Sequence, residues 1–438
     1  MLPKEGFLPL KSYLSITFKS VTVLLATLFL LTTAWAAPKE VSIYEFAGGS
    51  NDGANPIGGL VADKAGNLYG TTGTGGSYTD CSPFGQTCGV VFELSPSGGS
   101  WTEAVLYTFT GGLDGGEPLA GLAIDAQGNL YGTTAIGGSF GSGTVFMLSK
   151  NGPSWTESVL YSFQGGRDGA YPQSAVTLDN GSIYGMTYAG GGNDCLGAPS
   201  GCGTIFQLVQ GQNGWTESVL YRFANGSDGA FPYANLIVDP AGNLYGATTQ
   251  GGYLLKNCAP YGCGNIFQLK HGQSGWTLNP LHEFTFDNDG AAPYGGLLAD
   301  SGGNLYGTAS GGGPGFSGTV FKLHYAKGTW TFSVLYSFSG HDGAVPESNL
   351  IGKGKRLFGT TYSGGSGSGC FFGGPCGTVF MLTATQSGWK ESVLHSFSNN
   401  GSDGVYPEAG LLLGTNALYG TTSAGGDADK GTVFTVVP

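Results

Sequence analysis

Charge is scarce in this chain: only 11% of its residues are Asp, Glu, Lys or Arg, with 17 basic against 29 acidic. Phosphate recognition needs clustered Lys and Arg, so a nucleic-acid partner is excluded. Histidine is rarer still, with 5 in 438 residues. His271, His282, His324, His341 and His395 do not converge on a metal site or a His-assisted nucleophile. No metal, no cofactor and no catalytic residue is therefore expected. Outside the N-terminal segment no apolar run approaches the roughly 20 residues of a membrane span. Glycine at every third position is also missing, which excludes collagen.

What the chain has is glycine, 83 residues of it, with 13% aromatics and 40% hydrophobic residues overall. Glycine costs about 1 kcal/mol per helix-interior position relative to Ala, which excludes a helical protein. The apolar content suffices to bury a core, which argues against disorder. An all-β, turn-rich protein remains. At the N-terminus, Lys4, Lys11 and Lys19 precede an apolar run at 21–31, followed by Ala34-Trp35-Ala36. Residues 1–36 thus read as a secretory signal peptide, leaving residues 37–438 as one domain. Removing three Lys and one Glu takes the net charge from −12 to −14. The expected location is secreted, periplasmic or cell-surface.

A repeat occurs seven times. Asp-Gly followed by Pro four residues after the Asp starts each copy, at Asp52, Asp114, Asp168, Asp228, Asp289, Asp342 and Asp403. An aromatic-Gly pair follows at Tyr69, Tyr131, Tyr184, Tyr245, Tyr306, Phe358 and Tyr419. Gly-Thr-Val-Phe or a variant comes next, ending at Phe92, Phe146, Phe206, Phe267, Phe321, Phe380 and Phe434. Six copies continue into a Trp and a run such as Glu-Ser-Val-Leu-Tyr-Ser-Phe. Each unit holds four strand-like segments, in the second copy 122–125, 129–133, 144–148 and 158–163. Seven such units read as a seven-bladed β-propeller with four antiparallel strands per blade. The seventh unit lacks its fourth strand, and Val41-Ser42-Ile43-Tyr44-Glu45-Phe46 at the other end matches it. That offset predicts that the N-terminal strand closes the last blade, removing the free edges.

Gly-Asn-Leu-Tyr-Gly-Thr-Thr, Gly-Thr-Val-Phe and Val-Leu-Tyr-Ser-Phe together resemble the GloVer tandem repeats of bacterial secreted "choice-of-anchor" proteins, over almost all of residues 40–438. The resemblance implies an extracytoplasmic repeat protein and brings no activity with it.

The eight cysteines fall in pairs, Cys81/Cys88, Cys195/Cys202, Cys258/Cys263 and Cys370/Cys376, between the aromatic-Gly and Gly-Thr-Val-Phe blocks. Units with a pair are longer, so each pair is expected to close its own loop as a disulfide. Zinc is disfavoured, because the spacings are wide and no His lies in these loops. Up-and-down connectivity places the stapled loops and the Asp-Gly loops on one face of the propeller. The Asp of every copy, and a second series at Asp63, Asp125, Asp179, Asp239 and Asp300, read as turn residues.

A binding site is instead sought in what differs between copies. Flanking the repeat Pro are Tyr171, Phe231, Tyr233, Tyr294 and Tyr406, with Glu117, Glu347 and Glu408. The stapled loops add Phe84, Tyr261, Phe371 and Phe372. Aromatic faces with carboxylates suit a glycan, peptide or protein ligand. The expectation is a monomeric, non-catalytic binding scaffold. The alternatives are a polysaccharide hydrolase or lyase working through Glu117, Glu347 or Glu408, and a purely structural envelope protein.

Overall fold

The computed structural model describes residues 40–438, apart from 80, 82–85, 153, 193–194, 196–200, 253–257, 274 and 371–372. The expected signal peptide and Phe84, Phe371 and Phe372 lie outside the described residues.

Seven four-stranded antiparallel sheets form the blades of a propeller, and no α-helix occurs among the described residues. In the second blade the strands are Ala123–Ile124, Leu130–Thr134, Thr144–Asn151 and Ser154–Ser162. The inner strand is shorter and the outer hairpin longer than the sequence suggests. The repeat Trp was expected before the fourth strand but lies inside it, Trp155 pairing with Lys150. Tight glycine turns let the outer pair extend to the Trp, whereas the inner strand is cramped at the axis. The seventh blade consists of Leu412–Leu413, Leu418–Thr422, Thr432–Val436 and the N-terminal strand Glu40–Glu45, which pairs with Thr432–Val436. The predicted closure is present.

Neighbouring blades are joined by seven edge-to-face phenylalanine pairs, each uniting the end of one outer strand with the next blade's third strand. They are Phe46/Phe92, Phe109/Phe146, Phe163/Phe206, Phe223/Phe267, Phe284/Phe321, Phe338/Phe380 and Phe397/Phe434, with centroids 5.0–5.5 Å apart. All of these rings are buried. Full burial of one such ring is worth about 1.5–3 kcal/mol, and the edge-to-face geometry adds to it. The aromatic-Gly motif serves this ladder: a Cβ on Gly132 would sit 2.5 Å from the Phe146 ring, and one on Gly185 2.4 Å from Phe206.

The Asp-Gly aspartates are turn residues, as their recurrence implied. Each accepts a hydrogen bond from the aromatic residue of the preceding outer strand and from a backbone N–H. Tyr44, Tyr107, Tyr161 and Tyr221 donate to Asp52, Asp114, Asp168 and Asp228 at 3.0–3.3 Å, and Tyr336 donates to Asp342. His282 and His395 take the tyrosine's place, 3.0 Å from Asp289 and 3.2 Å from Asp403. These two histidines are therefore half-buried seam residues rather than surface residues of an edge. In the second acidic series, Asp63, Asp125, Asp239 and Asp300 each bind the backbone N–H and side-chain amide of an Asn four residues on. These bonds hold their carboxyls below the ordinary range although burial opposes them. Asp179 binds Asn180 instead.

Candidate functional site

The loop entering each blade carries a strained residue just before its Pro. Asn55, Glu117, Tyr171, Phe231, Ala292, Val345 and Tyr406 all have φ between +51° and +60°. A left-handed residue before proline is disfavoured, and it persists here because its N–H is committed. Each donates to a carbonyl of the preceding blade at 2.8–3.1 Å, and in four cases that carbonyl belongs to Cys88, Cys202, Cys263 or Cys376. All eight cysteines form the expected pairs, Cys81–Cys88, Cys195–Cys202, Cys258–Cys263 and Cys370–Cys376, with Cα atoms 5.1–5.4 Å apart. The staples therefore hold the same face as the Asp-Gly loops.

The chain reverses at the left-handed residue and the Pro, so the next side chain turns to the propeller axis. The residue after each Pro forms a ring: Ile57, Leu119, Gln173, Tyr233, Tyr294, Glu347 and Glu408. All seven line an axial cavity of about 470 Å³. Its polarity is divided. Ile57 and Leu119 make an aliphatic wall, while Tyr233 and Tyr294 stand edge to face at 5.4 Å beside the two glutamates. Asn235 and Asn349 also line the cavity, and Asn349 donates to Asn235 at 2.9 Å and accepts from the Gly296 N–H. Gly296 is required there, since a Cβ would lie 2.2 Å from the Asn235 side-chain oxygen.

The two carboxyls differ. Burial, reinforced by the neighbouring Glu408 carboxylate, pushes Glu347 up to about 7. Burial raises Glu408 too, against the opposing hydrogen bond that its Oε1 accepts from Ser423 at 2.7 Å. The Tyr233 hydroxyl is raised by burial and then by Glu408 and Glu347. No Lys, Arg or His lines the cavity among the described residues.

Of the eight residues singled out by sequence, Tyr233, Tyr294, Glu347 and Glu408 meet in this cavity. The other four occupy the left-handed position and do not line it. Glu117 is half-buried, Tyr171 is exposed, Phe231 is buried against Tyr188, and Tyr406 stacks on Tyr362 at 4.8 Å. Tyr261 of the stapled loops is exposed. Sequence reasoning missed Ile57, Leu119, Gln173 and the asparagine pair. Variation alone does not single them out, because the column three residues after the repeat Asp changes as much as the column five residues after it.

The profile of the Gloeobacter/Verrucomicrobia repeat matches residues 15–198 and again 195–372. The chain belongs to this repeat family. No curated protein sequence matches it. Among solved structures, a Bacteroides uniformis protein provisionally assigned as a 6-phosphogluconolactonase is similar at 13% identity and a TM-score of 0.49, covering 84% of this chain and 91% of that one. A Bacteroides fragilis protein with the same provisional assignment is similar at 15% identity and TM-score 0.46, covering 83% and 87%. A Lactobacillus plantarum protein is similar at 14% and 0.48, covering 83% and 90%. The four disulfides of this family member suit an oxidising environment. Among the described residues there is no helix long and apolar enough to cross a membrane.

Proposed function

We propose that the protein is a secreted propeller that binds a glycan, peptide or protein in the axial cavity and across the stapled loops around it, without transforming it. One observation carries this reading: the seven residues after the repeat Pro, of five different types, all line one cavity. A scaffold requirement repeats, as the Asp and Phe positions do. A site is built from departures. The aliphatic wall suits an apolar body, and the tyrosines and carboxyls suit hydrogen-bond donors, either sugar hydroxyls or an amine. With no cation in the lining, an ammonium group would relieve the mutual repulsion of Glu347 and Glu408. The N-terminal signal-like segment and the disulfides support export.

Glycan and peptide arrays test the proposal. Glu347→Gln and Tyr233→Ala are each expected to weaken a ligand found this way about tenfold, the size of a lost charge-assisted hydrogen bond. Arrays without a ligand, or ligands indifferent to both changes, sink the reading. One observation favours catalysis instead: Glu347 takes a proton near neutrality beside a carboxyl held by Ser423, an asymmetry that glycosidases use. Release of reducing ends from a polysaccharide panel, lost in Glu347→Gln and Glu408→Gln, would decide for it.

A further inference from the structure

Each seam between outer strands brings together three side chains: the Tyr or His of one blade, the Asp of the next loop, and a residue of the following blade's outer strand. Four seams read Tyr-Asp-Glu, with Glu103, Glu157, Glu217 and Glu391 within electrostatic reach of Asp52, Asp114, Asp168 and Asp342. A fifth has Leu278 packed in one apolar cluster with Tyr221. A sixth has His282 with Asp289, and Phe332 stacks flat on the imidazole at 3.6 Å. The seventh, where the ring closes, unites His395, Asp403 and Glu40. Among the described residues this is the one seam offering three metal-binding donors.

The geometry there is close to a coordination site. His395 Nε2 lies 3.2 Å from Asp403 Oδ2, and the donor atoms of all three residues lie within 4.8 Å of one another. Tetrahedral coordination with bonds near 2.1 Å spaces donor atoms about 3.4 Å apart, so little movement is needed. Glu40 Oε1 is buried without a hydrogen-bond partner among the described residues, as are the Oε1 atoms of Glu103, Glu157, Glu217 and Glu391, so the imidazole is what sets this seam apart. Two carboxylates side by side repel, and a divalent cation neutralises both. We infer that His395, Asp403 and Glu40 form a site for a zinc-class divalent metal that clasps the closing strand to the sixth blade and the loop beyond it. An imidazole nitrogen with two carboxylates suits zinc or cobalt, whereas calcium and magnesium take oxygen ligands. The fourth coordination position is left to water. The His282 seam supplies an internal contrast, because Phe332 stands where the third donor would be.

The test uses the purified protein, stripped with a chelator and titrated with Zn²⁺ by calorimetry and with Co²⁺ by visible absorption. One metal per chain is expected, with a tetrahedral cobalt spectrum and a thermal midpoint that climbs with free zinc. His395→Tyr gives this seam the side chains of the four Tyr-Asp-Glu seams, so it should fold and bind no metal. Glu40→Gln should weaken binding about tenfold or more, and it carries the decision if His395→Tyr fails to fold. Absence of binding by the wild type overturns the inference. So does undiminished binding by either variant, or a preference for Ca²⁺ over Zn²⁺.

Discussion

The rim and the axis of this propeller follow opposite rules. At the rim, Asp and Phe recur seven times, each Phe paired across a seam and each Asp bound to an aromatic residue and a backbone N–H. At the axis, seven positions made equivalent by the same loop geometry carry an aliphatic pair, a glutamine, two tyrosines and two glutamates. The rim must solve one packing problem seven times, and any deviation would open a seam. The axis has no such constraint, because its side chains point into a cavity rather than into a neighbour. Repetition therefore marks what holds the molecule together, and the axial ring, free of that constraint, varies.

The largest test of this contrast removes a rung of the ladder. Phe206→Ala should cost about 3–5 kcal/mol in urea unfolding, with ligand affinity unchanged in the protein that remains folded. A cost below about 1 kcal/mol would mean that the Phe pairs do not carry the seams. Next is pH. Burial pushes Glu103, Glu157, Glu217 and Glu391 at the rim, and Glu347 at the axis, from an ordinary 4.5 up to about 7. The folded state then holds more protons than the unfolded chain between those values, so stability falls as pH rises through 7. The lowered aspartates, Asp63, Asp125, Asp239, Asp289 and Asp300, act only near and below 3.8. The thermal midpoint should thus be higher at pH 5 than at pH 8. Replacing Glu103, Glu157, Glu217 and Glu391 together by Gln should flatten the slope, and a midpoint rising toward pH 8 would contradict it.

Opening one staple is a smaller change. Cys195→Ser with Cys202→Ser should cost about 2 kcal/mol, the closure entropy of so short a loop, measured against the oxidised wild type. Glu347→Gln inverts the rim result, losing about tenfold in ligand affinity with no loss of stability. The smallest effect belongs to Tyr171→Gly. Glycine accepts the φ of +53° found there, so the change should leave stability within about 1 kcal/mol and binding intact. A loss of binding would extend the site beyond the axis onto the left-handed positions.

Blade number, closure and disulfide pairing were legible in the sequence because each is written several times over, and a repeated signal averages out local ambiguity. The site was legible only in half. Tyr171 and Tyr233 both flank a Pro, and nothing local says which turns to the axis. The answer depends on a backbone reversal at the residue before that Pro, a conformation that sequence preference argues against. The partnership of Asn235 with Asn349 arises only when blades two apart in the ring stand together, and that of Glu40 with His395 only when the circle is complete. A histidine judged separate along the chain, His395, acquires a partner from its far end.

Closure by Glu40–Glu45 on Thr432–Val436 also sets an order of events. Six blades are built from contiguous chain and can form as it emerges. The seventh must wait, since its outer strand is delivered first and its other three last. That pairing has the longest sequence separation in the molecule, which makes it the natural slow step of folding. It is also the point where the circle most readily reopens. Trimming either end removes a strand from the same blade, so damage at opposite termini would leave the same scar.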